Sequence, residues 1–328
     1  MSNDLSADTQ AALLLTSQLA QLEQQGPSPL RAAEFVGLVK VLKEIGLQPG
    51  DLFEPANLAR LDESVEIDAE RVRALLARGL ALSMALDKWE SQGIWTLGWT
   101  DEQYPEKYRE RLKGQSPPVL YGIGDPDLLC GRSVGIVGSR NIDERGVEFA
   151  RGVAESCARH KVQVISGGAR GVDSEAMVAC VGTGGRAVGI LADSLARQAV
   201  SKFREGIVEG TLLLISPFEP EAHFLIGNAM ARNKLIYALS DFALVVSSEY
   251  NTGGTWAGAT ENLKKGWAPL FVRDGDDVPE GNRRLLKMGA IPMDEDLSEL
   301  GDPFEWMEQQ SAVVSQKDEE TPETLRLF

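Results

Sequence analysis

SVGIVGSRNIDERG at residues 133–146, followed after a helix-like segment by VQVISGGARGVD at 162–173, is the stretch whose reading decides the fold. Val134, Ile136 and Val137 form a short apolar run closed by Gly138, the pattern of a buried parallel strand feeding a tight turn. The turn is Gly138-Ser139-Arg140-Asn141, and Asn141 or Asp143 can cap the helix that follows. A second apolar run, Val162 to Ile165, enters Ser166-Gly167-Gly168-Ala169-Arg170-Gly171. This is one strand–helix–strand unit with a glycine-bearing loop and an arginine after each strand. In open α/β sheets such loops gather at the carboxyl edge, where ligands bind. Arg140 and Arg170 among backbone N–H groups make an anion site, and phosphate is the anion expected there.

Outward from this unit the alternation continues. A helix is expected from Asp173 to Val181, a strand from Arg186 to Leu191, a helix from there to about Gly206, and a strand from Thr211 to Ile215. A long helix over Ile226–Leu239 precedes a strand over Phe242–Ser248. The loop Glu249-Tyr250-Asn251-Thr252-Gly253-Gly254-Thr255 then opens a helix through Leu263. Ala268–Val272 reads as the last strand and Asn282–Met288 as the last helix. Alternating units of this kind predict an α/β fold, a mostly parallel sheet with helices on both faces.

The flanks differ in character. Helices are expected over Ala11–Leu22, Leu30–Ile45 and Ala69–Glu90, the last capped by Asp68, so residues 1–98 read as a small all-helical N-terminal domain. Residues 99–131 read as an extended connector, because Tyr104-Pro105 and Pro117-Pro118 oppose regular structure. Lys107, Arg109, Arg111 and Lys113 give it a basic face that, on spacing alone, is a solvated surface. Residues 132–293 form the α/β domain and 294–328 an acidic C-terminal tail. The net charge of −16 divides into −8 over residues 1–131, +2 over 132–273 and −10 over 274–328. The chain therefore cannot coat nucleic acid by bulk charge, yet its centre can hold phosphates through a local patch.

Other chemistries lack their residues. Cys130, Cys157 and Cys180 are widely spaced and unpaired in pattern, which indicates neither a metal site nor a disulfide framework and suits core residues. No apolar run approaches the ~20 residues that span a bilayer and no signal-peptide pattern opens the chain, so a soluble, cytoplasmic protein without membrane contact is expected. The dinucleotide fingerprint fails after Gly138, no acidic residue ends the second strand, and there is no Walker lysine. His160 and His223 sit in a turn and beside a proline-rich loop, where surface or core roles outweigh catalysis. Asp173 is expected as a helix cap, and Glu249 and Glu261 matter for acid–base work only if a nucleotide is hydrolysed. A binding protein with no catalytic residue, cofactor or metal is the reading. Its site residues are Gly138, Ser139, Arg140, Ser166, Gly167, Gly168, Arg170, Gly171, Arg232, Asn233, Lys234, Thr252, Gly253, Gly254 and Thr255. The glycines admit close backbone approach, the hydroxyls donate, and the arginines pair with phosphate oxygens.

The combination of VGIVGSR with VISGGARGVD resembles the DNA-processing protein A (DprA/Smf) family. Tyr104-Pro105, Leu112, Pro117-Pro118 and Leu120-Tyr121-Gly122-Ile123-Gly124 extend the resemblance upstream. Arg232-Asn233 with Ile236, Thr252-Gly253, Gly281-Asn282, Leu285-Leu286 and Gly289-Ala290 extend it downstream, over roughly residues 99–291. The resemblance implies an extended Rossmann-like fold, single-stranded DNA as ligand, and homodimers. It also implies RecA or another recombination protein as partner, in recombination or natural transformation. By that resemblance Arg140, the 166–171 loop and Arg232-Asn233 line the DNA phosphates, with Tyr250 and Trp256 placed to stack bases. The chain departs from the family at Asp193-Ser194-Leu195, Ser216-Pro217 and Arg273-Asp274, and the C-terminal winged helix of some members is expected to be absent. Two alternatives stand beside this. Gly253-Gly254-Thr255 with Glu261 is loosely similar to the loop of phosphoribohydrolases, which implies a nucleotide-binding or nucleotide-hydrolysing protein. A scaffold that recruits a partner through its acidic tail is the other.

Overall fold

The computed structural model describes residues 5–19, 26–63, 68–193, 195, 203–298 and 300–320. The greater part of the helix expected between Leu191 and Gly206, the end of the one expected over Ala11–Leu22, Ser194, and residues 321–328 of the tail lie outside the described residues. The chain forms two compact units, one of Met1–Pro126, Leu191–Arg204 and Leu214–Leu225, the other of Asp127–Ile190, Glu205–Leu213 and Ile226–Phe328.

In the first unit, helix α1 (Ala7–Thr16) starts four residues earlier than its apolar run suggests, because the Ser6 hydroxyl accepts from the Thr9 N–H and caps it. It stops at Ser17, where Arg78 donates to the carbonyls of Leu14, Ser17 and Gln18 and satisfies the helix end. Helix α2 (Ala32–Glu44) buries Phe35, Leu38, Val39 and Leu42 as its stripe predicts, each such side chain contributing about 1.5–3 kcal/mol. Helix α3 is Pro55–Ala59. The single helix expected over Ala69–Glu90 is two, α4 (Ala69–Leu76) and α5 (Gly79–Ser91). The break falls at Arg78, whose guanidinium is engaged at the end of α1, while Asp68 caps α4 as expected by accepting from Arg71 N.

The segment expected as an extended connector, residues 99–131, is regular: helix α6 (Glu106–Leu112) and strand β2 (Val119–Ile123) lie in it. Strand β1 (Trp95–Gly98), which pairs antiparallel with β2, closes the stretch expected to be all helical, so residues 1–98 are not purely helical. The prolines sit where regular structure tolerates them: Pro105 just ahead of α6 and Pro117-Pro118 ahead of β2. Arg109 is not part of a solvated face. It donates to the carbonyls of Trp99 and Asp101 and lies 5.7 Å and 5.1 Å from the Trp99 and Tyr104 rings.

The second unit begins with strand β3 (Ser133–Gly138), helix α7 (Glu144–Arg159), strand β4 (Gln163–Ser166), helix α8 (Val172–Gly182) and strand β5 (Ala187–Ile190). Helix α9 (Arg204–Val208), strand β6 (Leu212–Ser216, of which Leu214 onward belongs to the first unit), helix α10 (Ile226–Leu239), strand β7 (Phe242–Ser247), helix α11 (Gly253–Lys265), strand β8 (Leu270–Asp274), helix α12 (Glu280–Lys287) and strand β9 (Ile291–Asp294) follow in sequence. The sheet is nine-stranded, in the order β1-β2-β6-β5-β4-β3-β7-β8-β9. It is mostly parallel, with antiparallel pairing of β2 to β1 and β6. This is the extended Rossmann-like α/β fold. Strands β3, β4, β5, β7 and β8 are apolar and buried nearly throughout, as strands covered on both faces must be.

Two elements appear where none was expected. Strand β9 (Ile291–Asp294) pairs parallel with β8 at the sheet edge, where its alternating burial and Pro292 are tolerated. Helix α13 (Pro303–Glu320) makes part of the acidic tail a structural arm. Its Phe304 ring lies 5.0 Å from Phe242, and Trp306 lies 5.6 Å from Phe271. Among the described residues no helix is long and apolar enough to cross a membrane.

Candidate functional site

Strand order brings the three predicted loops together. β4, β3 and β7 are neighbours, and all run parallel, so the loops after them leave one carboxyl edge side by side. β3 is also where the order turns back, with β4 on one side and β7 on the other. That reversal is the position at which open α/β sheets hold ligands.

The loops are stitched to one another through their backbones. Ser139 N donates to Ser247 O at 2.9 Å, across a register shift at Val137/Gly138, and so joins the first loop to the end of β7. Val172 N donates to Ser139 O at 3.3 Å, joining the first loop to the second. Gly171 has φ +89°, and a side chain there would run into the Ser139 carbonyl and the Arg140 backbone. Asp143 caps α7 by accepting from Gly146 N at 2.7 Å, so the first loop ends as predicted.

Asp173 has a different role from the expected helix cap. It lies in the first turn of α8, is buried, and accepts at 3.1 Å from Gly167 N. Its carboxylate also takes the backbone N–H groups of Gly138 and Ala169, so one side chain ties the first two loops. Burial raises its pKa; Arg232 and those three N–H groups pull the other way. Arg232 is 5% exposed and donates to Ile190 O at 2.8 Å. Gly167 is the residue that admits both partners, because a methyl group there would overlap the Arg232 guanidinium and the Asp173 carboxylate.

The predicted site residues divide by accessibility. Arg140, Arg170, Thr252 and Gly253 are exposed, and Ser139, Gly138, Gly168, Gly171, Gly254 and Thr255 are half-buried. Ser166, Gly167 and Arg232 are buried. The Ser166 hydroxyl, expected as a donor to a ligand, donates instead to Ile136 O at 2.6 Å and locks β4 to β3. Asn233 holds the third loop by donating to Gly254 O at 3.0 Å. Lys234 is half-buried beside Glu261, and burial lowers its pKa. Of the aromatic pair, Tyr250 is 45% exposed and meets Trp256 edge to face at 5.1 Å.

Three residues were missed by sequence reasoning or given no role by it. Asn282 is fully buried, accepts from Ser248 N, and donates to Val246 O and Arg273 O, fastening the third loop to β7 and β8. Arg284 places its guanidinium 4.9 Å from the Tyr250 ring. Arg273, 1% exposed, sits 3.7 Å from Asp143 and 3.3 Å from Glu295, joining the start of α7 to the chain just past β9. The signal for Asn282 lay in the Gly281-Asn282 pair; a single sequence carries no signal for the other two. Cys157 and Cys180 are core residues with thiols pushed up in pKa by burial, the latter to about 12. His160 bonds its own helix through Ser156 O.

Chemically, the edge offers two exposed guanidinium groups, glycine backbone and hydroxyls, set on a framework whose buried charges face inward. That suits a phosphate-bearing ligand.

Known proteins resemble the chain in family and fold. The family model described as DNA recombination-mediator protein A matches residues 95–300. DNA processing protein DprA of Bacillus subtilis is 28% identical over 216 residues, 64% of this chain and 71% of that protein. Protein Smf of Synechocystis is 31% identical over 203 residues, 54% of this chain and 50% of that protein. Among solved structures, DNA processing protein A from Streptococcus pneumoniae matches with a TM-score of 0.68 at 17% identity, covering 88% of this chain and 95% of that one. DNA processing protein A from Helicobacter pylori, whose structure is described as revealing a single-stranded DNA binding mode, matches with a TM-score of 0.54 at 24% identity, covering 68% of this chain and 96% of that one. At these identities the structural matches speak for the fold.

Proposed function

Because the chain belongs to the DNA recombination-mediator protein A family, we propose that it binds single-stranded DNA along the carboxyl edge of its sheet and does no chemistry on it. The observation that carries this reading is the pair of exposed arginines, Arg140 and Arg170, on two loops tied together by Asp173. On this reading Arg140 and Arg170 neutralise successive phosphates, helped by the backbone N–H groups of Gly168, Arg170 and Gly171. Ser139, Thr252 and Thr255 supply hydroxyls, and Gly253 and Gly254 let the strand approach the start of α11. Lys234 adds a further positive charge. Arg232, Asn233, Ser166 and Gly167 set loop shape from below. Tyr250, backed by Trp256 and Arg284, is the stacking platform. The cellular role that follows is recombination or DNA uptake, with the strand handed to a RecA-type partner and the protein acting as a homodimer.

The test is fluorescence anisotropy of a labelled oligo-dT strand at low and moderate salt, beside Arg140→Ala and Arg170→Ala. The expected result is binding that weakens with salt and exceeds that of a duplex control, with each substitution reducing the salt slope by roughly 0.7. A well-folded protein that binds no strand at low salt overturns the reading. If mononucleotides then raise its melting temperature, the same loops serve a nucleotide instead.

A further inference from the structure

A groove in the first compact unit is lined by none of the residues assigned to the candidate site. Its volume is about 570 Å³, within the ~300–1,000 Å³ common for binding clefts. Helix α5 contributes Gly79, Leu82, Ser83, Leu86, Asp87 and Glu90, a succession spaced along one helix face. From Gly79 to Glu90 that face runs about 16 Å at ~1.5 Å per residue, the length of about three helical turns. Leu5 and Leu14, from α1 and just ahead of it, also line the groove.

Three features mark it as more than a packing defect. Phe53 in the lining is 42% exposed, and Leu80 and Met84, one turn apart on α5, are 67% and 59% exposed. A helix that turns this much apolar surface to water is unfinished as a core element. Thr96 lines the groove, is more than nine-tenths buried, and its hydroxyl has no hydrogen-bond partner among the described residues. The charged lining residues are Asp87 and Glu90, both exposed and both acidic.

We propose that this groove docks an amphipathic helix of a partner protein, apolar face inward and basic side chains opposite Asp87 and Glu90. A helix fits better than a small ligand because Leu80 and Met84 extend the apolar surface beyond the cavity itself. Exposed methionine and leucine beside a groove adapt to a helical guest.

The probe is a fluorescein-labelled Leu/Lys peptide of about 14 residues with leucine at i, i+3, i+4 and i+7, titrated into the full chain. A shuffled peptide of the same composition and a Leu/Glu helix serve as controls. The expected result is saturable binding, about tenfold tighter than the shuffled peptide, and about tenfold weaker in Met84→Gln and in the double variant Asp87→Lys/Glu90→Lys. Met84, Asp87 and Glu90 are all exposed, so these variants keep the fold, which far-ultraviolet circular dichroism verifies. Equal affinity for helical and shuffled peptides, or indifference to the substitutions, overturns the proposal. So does sedimentation showing that the chain self-associates through Met84 while the peptide fails to compete, because the face then belongs to a second copy.

Discussion

Asp173 and Arg232 are two buried charges that face one another beneath a glycine, and the shape of the second loop depends on that arrangement. Removing one member of a buried pair leaves the other uncompensated, so Asp173→Ala is expected to cost about 3 kcal/mol in urea unfolding. Asp173→Asn costs less, because an amide oxygen still accepts from a loop N–H. The pH sign distinguishes this group from ordinary surface carboxylates. Its folded pKa is raised, so the folded state holds the proton more tightly and this group's contribution to stability grows as pH falls. In oligo-dT titrations both variants weaken binding without removing an exposed charge. An Asp173→Ala protein with full strand affinity and native stability would show that the loop is held some other way. The acidic residue was visible in the sequence, directly after a glycine-rich loop. Its partner, Arg232, is 59 positions away and could be paired with it only by folding.

At the scale of elements, α2 and α4 are joined by Glu34. Its carboxylate accepts from Arg31 N at 2.8 Å and from Arg71 Nη1 at 2.9 Å. Those bonds hold it down from 4.5 to about 2. A depressed carboxylate contributes stability that is complete above the unfolded value and is lost as pH falls from about 4.5 towards 2. Glu34→Gln is therefore expected to cost roughly 1 kcal/mol at pH 7, discounted because the side chain remains partly solvated. Thermal melts of the two proteins should converge near pH 2; a constant gap across the whole range would count against an ionic origin. Element type was readable for α2, α10 and the buried parallel strands, whose apolar runs are long or continuous. The connector, β9 and the α4–α5 break were not. Each depends on proline at a tolerated edge position or on an arginine engaged by a distant helix end, and neither leaves a periodic trace.

At the scale of the molecule, the proposed strand binding by a chain of net charge −16 has to run through few contacts. With Arg140, Arg170 and Lys234 as the cations on the strand, the slope of log K against log salt should be about −2, from ~0.7 per phosphate neutralised on a single strand. A slope steeper than about −5 would require a wider basic surface than this edge supplies. The sequence by itself determined the α/β class, the parallel strands and the two arginine loops, because apolar continuity and glycine placement are local properties of the chain. Only the tertiary structure decided which loops share an edge, since β7 joins β3 across more than a hundred residues. It also decided that Ser166 and Arg232 serve the framework while Arg140 and Arg170 face outward, because burial belongs to the packed molecule and not to any segment of it.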